Sequence, residues 1–245
     1  MRRFVLTAMI ALRHAYWSCT CGVHKNKILK YPPFSHFMSN TTVNNVVDLV
    51  STGIKKATTE YLKLVNYERE LSWAPEYFLT VNIASELNKK LSSAYIFLEE
   101  AMGESREPPK GRPPVGYRPN KRYDIVVRTS NRSPMAAIEV KHRVYRVSER
   151  ITEDIKRLSY AVGPKNDGKS VFKLGIFAFY TVFEQGGPRT KPPKEAINDI
   201  YDKLEEKFDD LRGDALLSSD LIDPKIYTQL HGMAWGGGCF ILTAP

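Results

Sequence analysis

The stretches KRYDIVVRT (residues 121–129) and MAAIEVKHRVY (residues 135–145), joined by a turn-forming segment at 130–134, decide how this chain is read. Each has a short, solidly apolar centre: Ile125, Val126 and Val127 in the first, Ala136, Ala137 and Ile138 in the second. Their length and composition specify buried strands, and the Ser130 to Pro134 connection suits a hairpin. Three charges interrupt this apolar background. Asp124 heads the first strand, and Glu139 and Lys141 lie in the second. Side chains alternate across a strand, so Glu139 and Lys141 share a face while Val140 points to the other and can lend its backbone carbonyl. Pairing of the two strands brings Asp124 towards Glu139. Charges set beside buried strands cost several kcal/mol unless they are paired or bind a metal, and a cost of that kind points to function.

Outward from the hairpin, the periodicity specifies helices on both sides. Val46, Val50, Ile54, Ala57, Tyr61 and Leu64 recur at close to 3.6 residues, which predicts an amphipathic helix from Val43 to about Leu71. Pro75 suits a first helical turn, and a second helix is predicted from Glu76 to about Leu98, with Tyr77, Val81, Ala84, Leu87 and Leu91 buried and Asn82, Glu86, Lys89 and Ser93 opposite. After the hairpin, Ser148 precedes Ile151, Ile155, Leu158 and Val162 at helical spacing, with Lys156 and Arg157 on the more polar side. VFKLGIFAFYTVF (171–183) reads as a long buried strand, Lys194 to Arg212 as a charged amphipathic helix, and CFILT (239–243) as a last strand. No internal repeat is evident. Helix, helix, strand, strand, helix, strand, helix, strand implies a layered α/β domain with a mixed central sheet flanked by helices.

Hydrolysis of a phosphodiester requires a divalent cation to neutralise phosphate charge and activate water, and a hard ion such as Mg²⁺, or Mn²⁺ in its place, prefers carboxylate and carbonyl oxygens. Asp124 and Glu139 supply them, and the Lys141 ammonium can hold the attacking water and stabilise charge developing in the transition state. The Glu-x-Lys spacing alone proves little. Glu205 and Lys207 repeat it, but in a predicted helix, where residues two apart diverge by about 200°. The signal at Glu139 is the triplet in a strand together with an aspartate heading the strand before it.

These residues resemble the PD-(D/E)XK nuclease superfamily, the restriction-endonuclease-like fold. KRYDIVV looks like its aspartate strand, AAIEVKH like its (D/E)XK strand and ITEDIKRL like the helix that follows, over roughly Pro75 to Phe183. Tyr123 stands where the family has its proline. The resemblance implies that Asp124 and Glu139 ligate the metal and that Lys141 is the catalytic lysine. Many members carry a further glutamate on the first core helix, which makes Glu76 the fourth candidate because it flanks the apolar stripe. The helix dipole favours an acid in the first turn without any metal, so both readings of Glu76 stand.

Between Gly103 and Asn120, REPPKGRPPVGYRPN holds five prolines and two glycines and must be a loop. Arg112, Arg118, Lys121 and Arg122 in and beyond it are candidates for phosphate contacts, Tyr117 for stacking on a base, and Lys156 and Arg157 for further contacts. A solvated loop or helix face has the same composition. His142 alternates away from Lys141 and reads as a packing residue, and His231 has no identifiable partner. The net charge is +9, of which six come from residues 1–37, leaving +3 for the remainder, so overall basicity supports nucleic-acid binding weakly. Three cysteines form no disulfide framework and suggest a reducing, cytoplasmic setting. Cys19, Cys21 and His24 lack the fourth ligand and paired spacing of a zinc site. No apolar run has membrane-spanning length. The opening MRRFVLTAMIAL begins like a secretory signal, but Arg13 and His14 follow at once without a cleavage site, so residues 1–37 read as a poorly ordered extension before a 38–245 domain. The expected function is Mg²⁺- or Mn²⁺-dependent cleavage of DNA, with RNA as the open alternative. Competing readings are an inactive nuclease-fold protein that binds nucleic acid or serves as a scaffold, and a structural ion-pair network in an unrelated α/β protein. A homodimer or a partner protein fits any of these.

Overall fold

Two apolar layers enclose one sheet, and the elements that form them follow in the order α1 (Asn40–Leu64), α2 (Glu76–Lys90), β1 (Tyr95–Ala101), β2 (Arg122–Arg128), β3 (Pro134–His142), α3 (Glu149–Val162), β4 (Leu174–Glu184), α4 (Pro193–Leu211), β5 (Leu216–Ile226) and β6 (Met233–Thr243). The computed structural model describes residues 40–101, 121–163, 172–186, 190–227, 230 and 232–244. These belong to a single unit, Met38–Pro245. The expectations for residues 1–37, for Arg112, Tyr117 and Arg118, and for His231 lie outside the described residues. Among the described residues no helix is long and apolar enough to cross a membrane.

The strands form one six-stranded mixed sheet in the order β1-β2-β3-β4-β6-β5. β2 and β3 pair antiparallel as the predicted hairpin. β3 and β4 pair in parallel, with α3 as the crossover between them, and the other neighbouring pairs are antiparallel. Alternation divides the sheet between two cores. Ile138 and Val140 of β3 and Ile176, Ala178 and Tyr180 of β4 pack with α1 and α2, whereas Ala137, Phe177 and Phe179 pack with α3 and α4. Glu139 and Lys141 share the parity of Ala137, so they face α3.

Val46, Val50, Ile54, Ala57 and Tyr61 are buried as the period specifies, but Leu64 is exposed and Leu62 takes its place. α1 stops short of Leu71 because Asn66 and Tyr67 adopt positive φ, after which Leu71–Trp73 forms a 3-10 turn. In α2 the buried face is rotated from the predicted one. Leu79, Ile83, Ala84 and Leu87 are buried together with Thr80, Asn82 and Glu86, while Tyr77 is exposed. α1 packs over β4, β5 and β6 and α2 over β1, β2 and β3, so α2 buries one side on the sheet and another against α1, where Glu86 is held by Lys56 at 2.7 Å. The predicted second helix also ends early, at Lys90, and YIFLEEA forms the strand β1 against β2. Leu91, Tyr95 and Leu98 mimic a helical period, whereas Ile96 and Leu98 pack on the core at strand spacing. β5 is the other strand absent from the sequence reading. Its weak alternation reflects an edge position, and its pairing with β6 slips between Ile222 and Lys225.

Candidate active site

Where the ladder between β2 and β3 stops at Ile125 and Ile138, side-chain chemistry takes over from backbone pairing. Asp124 Oδ2 accepts the Val140 N–H at 2.7 Å. Glu139 and Lys141 emerge on the same side, beneath α3, and that helix contributes two further charges, Asp154 and Arg157. Lys121, Arg122, Asp124, Glu139, Lys141, Arg150, Asp154 and Arg157 line one cavity of about 190 Å³. A cavity this size holds several waters or a hydrated ion but is smaller than sites that enclose a drug-sized ligand.

The local sequence explains why α3 delivers its charges here. Ser148 caps the helix by accepting the Ile151 N–H. Ile151, Ile155 and Leu158 fix the buried face, and Asp154 falls within it. Asp154 and Arg157 stand one turn apart, so both reach the sheet. Lys156 is exposed, whereas the Arg157 side chain is 11% accessible. The two basic residues expected to share a polar face are therefore separated, and Arg157 points inwards.

The ion pairs are close. Arg157 Nη2 lies 2.5 Å from Glu139 Oε1 and 2.6 Å from Asp154 Oδ1. Lys141 Nζ lies 3.0 Å from Asp154 Oδ2, 3.9 Å from Asp124 Oδ2 and 4.0 Å from Glu139 Oε2, and it donates to the Val140 carbonyl at 3.1 Å. Burial works to lower the Lys141 pKa, but Asp154, Glu139, Asp124 and Glu76 outweigh it and hold the group above its ordinary value, as an ammonium. Burial, aided by Asp124 and Asp154 and opposed by Arg157 and Lys141, raises the Glu139 carboxyl to about 8. Three carboxylates here share two buried cations, Lys141 and Arg157, and each carboxylate has at least one of the two within 4.0 Å. Asp154 Oδ2, despite its ion pair with Lys141, is the one buried side-chain polar atom among the described residues without a hydrogen bond.

No family model, curated protein or solved structure matches this chain.

The fitness of the cavity for a metal therefore rests on its own chemistry. Carboxylate oxygens and one buried oxygen lacking a hydrogen bond suit a hard divalent cation, whereas the five cationic side chains in the same lining oppose one. Among the described residues no three His, Cys, Asp or Glu side chains stand close enough to cage an ion as they are. Arg157 wedges between Glu139 and Asp154. The Val140 carbonyl, expected as a ligand, is engaged by Lys141.

Glu76 stands beside this group but does not line the cavity. Its Oε2 accepts the His142 N–H at 3.3 Å, and its Oε1 lies 3.9 Å from the Arg150 guanidinium. Lys121 and Arg122 reach the rim, where they pair with Glu153 at 2.9 Å and Glu99 at 3.7 Å. Both pairs are substantially exposed and hold these cations weakly. His142 lies against Tyr180 and donates from Nε2 to the Leu71 carbonyl at 2.9 Å, and burial pushes its pKa down. It is a neutral packing residue, as its strand position predicts. Glu205 and Lys207 lie in α4, as expected of a chance match. Sequence reasoning missed two lining residues, the exposed Arg150 and the buried Asp154. The signal for Asp154 was an acid three residues after Ile151 and four before Leu158, on the apolar face of α3.

Proposed function

We propose that this chain is a Mg²⁺- or Mn²⁺-dependent nuclease of the restriction-endonuclease-like, PD-(D/E)XK kind, acting on DNA. The observation that carries this reading is the convergence of Asp124, Glu139 and Lys141 in one polar cavity roofed by a helix that adds Asp154 and Arg157. Asp124 and Glu139 would hold the cation, with Asp154 adding to the acidic set. Bound there, such an ion neutralises phosphate charge and makes water a better nucleophile. Lys141 remains protonated among its carboxylates, so it does not serve as the general base. Its ammonium orients the attacking water and stabilises negative charge that builds on the phosphate. Asp124 also has a structural role, because by holding the Val140 amide it keeps the end of β3 in place. Arg122 and Arg150, exposed at the rim, would meet the phosphate backbone.

A second reading, a nuclease-fold protein that binds nucleic acid without turnover, is favoured by the pairing of Arg157 and Lys141 with all three carboxylates. One experiment separates the two. The protein is incubated with linear, circular and single-stranded DNA and with RNA, in Mg²⁺, Mn²⁺ or EDTA. Cleavage is expected with metal only, and Lys141→Ala is expected to lower its rate by about 10² or more. Asp124→Asn keeps an acceptor for the Val140 amide while removing the charge, so its loss of activity reports chemistry and not misfolding. Cleavage that survives both substitutions overturns the site assignment, and binding without cleavage in either metal supports the second reading.

A further inference from the structure

The nitrogen of one guanidinium occupies the space between two carboxylates of the cavity. Arg157 Nη2 is within 2.6 Å of both Glu139 Oε1 and Asp154 Oδ1, and Nε adds a second contact to Glu139 Oε1 at 3.2 Å. All three side chains are nearly inaccessible, at 11%, 1% and 2%. An arginine on the outer face of α3 would need none of this, and the exposed Lys156 beside it has none. The arrangement also compensates charge, because carboxylates gathered in one cavity repel one another when no cation stands between them.

We propose that Arg157 is an internal competitor for the divalent cation: it occupies the Glu139–Asp154 gap in the ion-free protein and is displaced from Glu139 when an ion binds. The inference rests on the reading that Glu139 holds a cation. Like charges crowded on one carboxylate repel, so an ion held by Glu139 weakens the Arg157–Glu139 contact and drives the guanidinium off Oε1. Asp154, one turn away on the same helix, keeps the displaced arginine in the cavity. Arg157 is thus a positioning residue that stabilises the empty site and weakens cation binding. Lysine at this position carries the charge but lacks the planar fork that spans both carboxylates.

The test titrates Mn²⁺ alone, without nucleic acid, into the full chain by calorimetry and by paramagnetic resonance of the free ion. Wild type is compared with Arg157→Met, Arg157→Lys and Arg150→Met. Arg157→Met is expected to bind Mn²⁺ roughly tenfold tighter or more, because a buried contact no longer has to be broken. Arg157→Lys is expected to fall between it and wild type. Arg150→Met, which removes a charge 73% exposed at the same cavity, is expected to change affinity by less than about threefold. Equal gains for the two Met variants would mean that only overall charge matters, and the proposal fails. It fails equally if Arg157→Met binds no tighter than wild type. Should Arg157→Met not fold without ion, Arg157→Lys decides: Mn²⁺ must raise its melting temperature more than that of wild type. Tighter binding without DNA cleavage retains this inference and sinks the nuclease reading, whereas wild-type cleavage with unaltered affinity in the variants does the reverse.

Discussion

A carboxyl group 1% exposed, with two further carboxylates beside it, holds its proton far above the usual range, and for Glu139 burial is the leading cause of a pKa of about 8 against 4.5 for the free side chain. The consequence for stability has a definite sign. Between those values the folded chain binds more protons at Glu139 than the unfolded chain does, so stability falls as pH rises. This contribution is fully present below pH 4.5 and is lost as pH rises through about 8. Urea unfolding in EDTA across this window is expected to show the decline, and Glu139→Gln, which cannot ionise, is expected to flatten it. An unchanged slope in that variant would falsify the assignment. The same residue shows why the site is partly legible in the sequence. Asp124, Glu139 and Lys141 stand out because their neighbours are apolar and their strand positions are unambiguous. Asp154 and Arg157 lie in a helix rich in charge, where only the angle about the axis separates an inward from an outward residue. Adjacent residues there differ by about 100°, and Arg157 and Lys156 stand about equally far from the Ile151, Ile155, Leu158 and Val162 stripe on opposite sides of it, so the stripe alone does not tell which of them turns inwards.

At the scale of elements, helix contact is set by a residue with no side chain. A Cβ on Gly53 of α1 would come within 2.6 Å of the Ile83 Cα in α2, backbone that has no rotamer to yield. Gly53→Ala is therefore expected to push the two helices apart and to cost about 1–3 kcal/mol, measured by denaturant unfolding. Because Glu76 begins α2 and touches the end of β3, the same variant is expected to loosen that contact while leaving Asp124, Glu139 and Lys141 together. The buried faces of α1, α3 and α4 write a helical period into the sequence, and β2, β3 and β4, buried on both faces, write short continuous apolar runs. β1 and β5 do not. Each is an edge strand with one neighbour and half-exposed side chains, so selection for burial leaves little alternation in it. The buried face of α2 escapes a periodicity reading for the opposite reason, since a helix covered on two sides has no single stripe to find.

Across the whole molecule, protection should follow position in the sheet. Amides of β3 and β4, paired on both sides and covered by two layers of helix, are expected to exchange hydrogen slowest, and those of β1 and β5 fastest among the strands. Exchange followed by mass spectrometry checks this ranking, and faster exchange in β3 than in β1 would count against the architecture. The two-layer arrangement is legible in outline because the order of helices and strands restricts how a sheet can be covered, whereas the six-strand order requires pairings between segments far apart in sequence. One of those pairings orders events during synthesis. β6 lies between β4 and β5, yet both are translated before it. Until Met233–Thr243 leaves the ribosome, β4 has a bare edge of hydrogen-bonding groups and β5 has nothing to pair with. A nascent chain stalled in that interval exposes the strongly apolar strand Leu174–Glu184 to other chains. Slow translation of the last strand would therefore promote aggregation in a way that slow translation of β1 would not.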